Sequence, residues 1–323
     1  MSRVAFLEYA TAYVNTITGV YADSTCSVLL RRYKDQSRTV QELYKEKLIK
    51  TTSPKSMSAD DVKQFISRRR SREGISPGEI SHDVTAIKSL FAFVDNPAVE
   101  MCLRKYPGLK PRGGTRRLPS MDECTLDKIY RRAATIDPSN WKLVRAYTLV
   151  VLAIDTGVRS KEARLMNVSD IDRSGEDWIV NIIHVKGEDS YGMRRRTFVT
   201  GILRKLLEEY LPLREEFVKE NGIESDALFP SPSKSSKKGY MASNSIRMIK
   251  NVVEQDLGII FDLRKCRRTF GQQLLNQGLD IESTSVLMGH TSTQTTEGFY
   301  ARKDLDSAML GSKEVRSRKV RSY

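Results

Sequence analysis

What the chain has little of narrows the field first. Its 323 residues include four cysteines, Cys26, Cys102, Cys124 and Cys266, and none stand at CxxC spacing. That argues against a zinc site or a disulfide framework and fits a reducing compartment. Histidine is scarcer, with three in the chain, and no histidine–carboxylate group has ligand spacing. The expectation is therefore no metal and no cofactor. No apolar run is long enough to span a bilayer, and no basic-then-apolar leader is present, so a soluble, cytoplasmic protein without a membrane partner is expected. Acidic residues are also short: 40 Asp and Glu stand against 54 Lys and Arg, for a formal charge of +14 and a pI of about 9.6. Such a surplus attracts polyanions, and because the basic residues cluster, nucleic acid is favoured over a mere aid to solubility.

A chain of this length suits two domains. Residues 1–96 read as all helical. Val40, Leu43, Tyr44, Leu48 and Ile49 give an apolar stripe at helical spacing. Ser58 with Asp61, and Ser76-Pro77-Gly78-Glu79, read as helix starts. Ile80, Val84, Ile87, Leu90, Phe91 and Val94 follow the second at helical spacing and read as core. Arg68, Arg69, Arg70 and Arg72 lie between two predicted helices. They read equally as a DNA-backbone contact and as a solvated face. Residues 97–118 carry Pro97, Pro107, Pro111 and three glycines, with Lys105, Lys110, Arg112, Arg116 and Arg117. They read as a basic linker, either a tether around a duplex or a plain hinge.

Residues 119–305 read as a second domain, starting at a capping box in Ser120-Met121-Asp122-Glu123. Trp141 to Ile154 is apolar nearly all round, which predicts a central buried helix, ended by Gly157 in a left-handed cap. Asp177 to Lys186 is β-branched on both faces and reads as a strand, and Arg194 to Val199 as its return after a turn. Lys186 sits at the strand end, and Arg194, Arg195 and Arg196 follow the turn. Further helices are predicted around Leu203–Tyr210, Ile246–Val253 and Arg264–Leu275. Gly289 stops one more and leaves His290 at its end. Residues 306–323 form a basic tail. The fold class is mainly α with a small β-hairpin or sheet in the second domain.

The stretch from Arg264 to Tyr300 concentrates the chemistry. It holds Arg264 and Arg267 three apart, His290 directly after a glycine, and Tyr300 ten residues later. Arginine pairs, a histidine and a tyrosine suit phosphodiester transfer in which the protein supplies the nucleophile. Together with DTGVRSKEARLM, VKG and RKCRRTF, the string LMGHTSTQTTEGFY resembles the tyrosine recombinases, the phage integrase family, of an archaeal, viral or plasmid type. The resemblance covers roughly residues 1–305. It implies a helical DNA-binding domain followed by a catalytic domain, with Arg159, Lys186, Arg264, Arg267, His290 and the nucleophile Tyr300 as catalytic residues. Arg264 replaces the histidine or lysine usual in the family. The ten-residue step from His290 to Tyr300 is a family variant, nine being commoner. Arg68, Arg69, Arg70, Arg112, Arg116, Arg117, Arg194 and Arg195 are the DNA-binding candidates.

The residue types suit such a reaction. A pentacoordinate transition state adds charge to the non-bridging oxygens, and the planar, permanently charged fork of arginine answers it. Tyr300 would attack phosphorus, and His290 would hydrogen-bond the phosphate or take the phenol proton. Lys186 would protonate the leaving 5′ oxygen. Arg264 cannot act as a base. Glu162 would buttress Arg159 or pair with Arg164 or Lys161. The expected function is a metal-independent, site-specific recombinase working through a 3′-phosphotyrosyl intermediate in a tetramer on double-stranded DNA. The alternatives are a type IB topoisomerase-like relaxing enzyme and a catalytically inactive DNA-binding protein of the same fold.

Overall fold

Two helix starts in the amino-terminal part are set by reciprocal serine–carboxylate caps. In this computed structural model, which describes residues 5–109, 118–185, 192–233 and 236–299, the Ser58 hydroxyl accepts from the Asp61 amide and the Asp61 carboxylate accepts from the Ser58 amide. Ser76 and Glu79 repeat the exchange, with Pro77 in the first turn. Each box satisfies amides that a helix end leaves without partners. The elements are α1 (Ala5–Ile17), α2 (Asp23–Lys45), α3 (Ala59–Ser71), α4 (Pro77–Phe93) and α5 (Ala98–Lys105). They belong to the first of two units, Met1–Gly114 and Thr115–Tyr323. Phe6, Tyr33, Leu43, Phe65, Ile66, Ile87 and Leu90 fill its core. The buried Tyr33 hydroxyl donates to the Ala86 carbonyl at 2.7 Å, so its burial leaves no orphaned donor.

Three expectations are corrected here. Residues 97–109 are not linker. Pro97 stands at the helix start, where its missing amide costs nothing, and α5 buries Ala98, Val99 and Cys102 in the core of this unit. Asn96 braces that start by donating to the carbonyls of Pro54 and Met57. Secondly, the stripe breaks after Leu43: α2 ends at Lys45, Lys47 turns the chain at positive φ, and Tyr44 and Leu48 are exposed while Ile49 returns inside. Thirdly, the arginine run is the last turn of α3 rather than a loop. Arg68 pairs with Glu46 and Arg72 with Glu42, and Arg70 donates to the Gly108 carbonyl. Arg69 is buried, bridging Asp35 at 2.6 Å and Asp83 at 2.8 Å. A buried guanidinium already spent on the buried Asp83 and the half-exposed Asp35 is not a DNA contact.

The second unit comprises α6 (Glu123–Ala134), α7 (Trp141–Thr156), α8 (Ser160–Leu165), β1 (Ile171–Asp172), β2 (Ile179–Ile182), β3 (Arg195–Phe198), α9 (Gly201–Glu220), α10 (Ser243–Leu257), α11 (Leu263–Asn276), α12 (Ile281–Met288) and α13 (Thr293–Phe299). The mainly α class with a small sheet is what was expected. The cap of α6 is Asp122, which accepts from the Thr125 amide at 2.8 Å, and not Ser120. From Ala146 onward every residue of α7 is buried. It packs against α9, α10 and α11, as its all-round apolar sequence requires. The sheet is antiparallel in the order β1-β2-β3, with Ile182 opposite Arg195 and Val180 opposite Thr197. Strand β2 is shorter than the predicted Asp177–Lys186, because pairing partners flank it only over Ile179–Ile182. Among the described residues no helix is long and apolar enough to cross a membrane.

Candidate active site

The site begins where α7 ends. Gly157 adopts φ +62, and a Cβ there would lie 2.4 Å from the Phe270 ring, so only glycine makes this turn. The turn places Arg159 at the start of α8. Its backbone amide donates to Glu162 Oε2 and its Nη1 to Glu162 Oε1, both at 2.7 Å. Glu162 therefore buttresses Arg159, and its further partner is Arg195 rather than Arg164 or Lys161. About a third of the Arg159 side chain stays exposed, and its Nη2 reaches the Gly289 carbonyl at 3.5 Å.

Arg267 arrives from α11 and is buried. Its Nη1 donates to the Gly157 carbonyl at 2.5 Å and its Nη2 to the Met288 carbonyl. The same nitrogen stands 3.2 Å from His290 Nε2. His290 follows Gly289, whose φ of +61 caps α12, and its amide donates to the Ser285 carbonyl at 3.0 Å. Its Nδ1 is 2.9 Å from Thr296 Oγ1 on α13. Because arginine only donates, Nε2 is the acceptor and the neutral ring carries its proton on Nδ1. Burial, then the charges of Arg267, Arg159 and Arg195, press the His290 pKa down to about 3 against the opposing pull of Glu162. Burial pushes Glu162 upward, but the hydrogen bond and charge of Arg195, with the help of Arg159, bring it down to about 2. Among the described residues, three guanidiniums and one carboxylate act on His290, so the neutral imidazole sits in a positive field. Such a field makes an anion site.

A cavity of about 330 Å³ opens here, lined by Arg159, Val185, Met193, His290, Thr291 and Thr295 among others. Val185 is the residue before Lys186, and α13 ends at the residue before Tyr300. Lys186 and Tyr300 themselves, like Arg112, Arg116 and Arg117, lie outside the described residues. Of the expected catalytic residues the structure thus brings together Arg159, Arg267 and His290. Arg264 is exposed on the first turn of α11 and joins none of these contacts. Arg194 is exposed.

Arg195 is a correction. Expected on DNA, it is buried and holds both oxygens of Glu162, at 2.7 and 3.2 Å. It faces inward because β3 sets it opposite the buried Ile182. The turn length that decides this register is not readable from the residues, so alternation alone did not single Arg195 out from Arg194 and Arg196. Thr296 was also missed, since a hydroxyl on a polar helix carries no signal until a histidine is beside it. Among the described residues no group of three or more His, Cys, Asp or Glu comes together to hold a metal ion.

Comparison with known proteins agrees with this geometry. The sequence model of the phage integrase family matches residues 120–306. The tyrosine recombinase XerC of Oceanobacillus iheyensis is 26% identical over 248 residues, 73% of this chain and 74% of that protein. The XerC of Thermodesulfovibrio yellowstonii is 24% identical over 92% of each chain. Among solved structures, the XerH site-specific recombinase bound to its difH substrate shares the fold, with a TM-score of 0.68 at 17% identity over 97% of both chains. The Tn1549 transposon integrase in complex with transposon right end DNA does so with a TM-score of 0.61 at 15% identity. With more than half of its residues, 120–306, matched by one family, the chain belongs to the phage integrase family, the tyrosine recombinases, enzymes that cleave and rejoin DNA strands with a tyrosine nucleophile.

Proposed function

We propose that the chain is a site-specific DNA recombinase whose Tyr300 becomes joined to a 3′ phosphate, with Arg159 and Arg267 gripping the non-bridging oxygens. The observation that carries this reading is the positive field around a neutral His290 at a cavity wall. A phosphodiester entering there is attracted by that positive field. In the cleavage step the Tyr300 oxygen bonds to phosphorus and the bond from phosphorus to the 5′ oxygen breaks. As the phosphate draws Arg267 Nη2 to itself and frees the Nε2 lone pair, the phenol proton passes to His290 Nε2, while Nδ1 keeps its own proton. As the phosphate gains charge it favours the imidazolium, which then donates to it. Lys186 protonates the leaving 5′ oxygen. Attack by another 5′ hydroxyl reverses each transfer and reseals the strand without an external energy source. Arg264 contributes charge at the DNA surface and no proton transfer. Strand exchange takes place in a tetramer on DNA in the cytoplasm. The helical unit and residues 110–117 add DNA contacts.

The test is to incubate the purified protein with a pool of short random duplexes and chelator, then resolve the products on a denaturing gel. Wild type should give a protein–DNA adduct whose attached ends share a sequence. Tyr300→Phe should bind the same DNA and give none. An adduct that persists in Tyr300→Phe refutes the assignment of the nucleophile, and relaxation of any plasmid by monomers refutes site specificity.

A further inference from the structure

We propose that Arg195 is a positioning residue of this site, one that never touches DNA and acts by clamping Glu162 and the glycine turn beneath His290. The inference rests on the functional reading above for its activity arm and on geometry for the rest. Glu162 has two oxygens, and each accepts from both arginines. Oε1 takes Arg159 Nη1 and Arg195 Nη1, while Oε2 takes the Arg159 amide and Arg195 Nη2. The carboxylate cannot rotate without breaking bonds to Arg195, so the Arg159 guanidinium inherits its orientation. The Arg195 side chain is 3% exposed against 32% for Arg159, and it lies behind the cavity wall. It also closes the other side of the site. A Cβ on Gly289 would sit 3.1 Å from its Cδ and Nη1, so Arg195 packs directly under the turn that launches His290. Its Nη2 is 3.4 Å from the Gly157 carbonyl, which Arg267 also uses. One side chain thus ties together the mounts of Arg159, Arg267 and His290. Lysine supplies a comparable charge but no planar fork, and cannot hold two carboxylate oxygens and a carbonyl in one plane.

Among the described residues, the charged groups acting on His290 include Arg267 of α11, Arg159 and Glu162 of α8, and Arg195 of β3, with Thr296 of α13 on its Nδ1. The chain has three histidines, so ¹⁵N-histidine spectra of the full-length protein resolve His290 from His82 and His184. Arg195→Gln should let His290 titrate at higher pH, and should slow adduct formation roughly a hundredfold, the scale of an ångström's misplacement, with DNA affinity unchanged. Arg195→Lys should restore the His290 titration while leaving cleavage slow. Cleavage at the wild-type rate in Arg195→Gln or Arg195→Lys overturns the proposal, as does loss of DNA affinity in step with cleavage. If Arg195→Gln does not fold, the double variant Glu162→Leu, Arg195→Met removes the buried charges together. It should fold and still cleave slowly, and full activity in it would reduce Arg195 to a counter-ion and overturn the role. If wild type forms no adduct, the functional reading fails, while the His290 titration still decides whether Arg195 acts on the site.

Discussion

Nη2 of Arg267 donates to Nε2 of His290 across 3.2 Å. A guanidinium thus rests on the lone pair of a neutral imidazole. The contact has two consequences. It keeps the ring uncharged until an anion arrives, and it holds the proposed base and one phosphate clamp at a fixed separation.

Stability should fall with acid in two separable stages. His290 titrates near 6.5 when unfolded and at about 3 in the fold. The unfolded chain therefore binds the extra proton, and stability drops as pH falls from about 6.5 towards 3. Glu162 moves from 4.5 to about 2, so its contribution is intact above 4.5 and is lost only as pH falls towards 2. Urea midpoints taken near pH 7 and near pH 5 should differ less in His290→Gln than in wild type. An equal drop in both would show that His290 is not held neutral.

Gly157→Ala should cost about 3 kcal/mol, from left-handed backbone and from the overlap with Phe270. Because the Gly157 carbonyl receives Arg267 and Arg195, cleavage should fall beyond what the loss of folded protein explains. Urea melts and single-turnover cleavage at matched folded fractions check this. A thermally neutral Gly157→Ala would contradict the backbone geometry.

Arg69→Ala should destabilise the helical unit by about 2 kcal/mol, since it takes the partner from Oδ2 of the buried Asp83 carboxylate, which keeps Arg32 and Gln36 on Oδ1. Were Arg69 a phosphate contact, the change would instead flatten the salt dependence of DNA binding and leave the melt alone. Chemical denaturation and a salt titration of DNA affinity distinguish the two.

Arg264→Ala and Arg267→Ala should part company. Arg264 is exposed, so its removal should shift stability by about 0.5 kcal/mol or less, with a modest loss of DNA affinity. Arg267 holds two carbonyls and His290, so its removal should abolish adduct formation. Comparable cleavage in the two variants would remove the distinction.

Local interactions explain what could be read in advance. The boxes at Ser58 and Ser76 close within three residues, and the all-round apolar face of α7 announces a buried helix. The strings around Arg159, Arg267 and His290 carried the site because each sits beside a helix end that glycine or a cap marks. Residues 97–109 form a helix where a linker is expected because proline begins helices as well as breaking them, and the buried side of a helix as short as α5 spans too few residues to stand out. Charge was the least legible property. Arg69 and Arg195 look like their neighbours Arg70 and Arg194, yet both are buried on carboxylates.

The amino-acid sequence by itself determined the starts of α3 and α4, the family, and Arg159, Arg267 and His290 among six candidate catalytic residues, because caps and short motifs act over a few positions. Only the tertiary structure decided which arginines face solvent and which are locked inside. The partner of Arg195 lies 33 residues away, and whether a guanidinium finds a carboxylate at that range depends on strand register and helix packing, which no local pattern encodes.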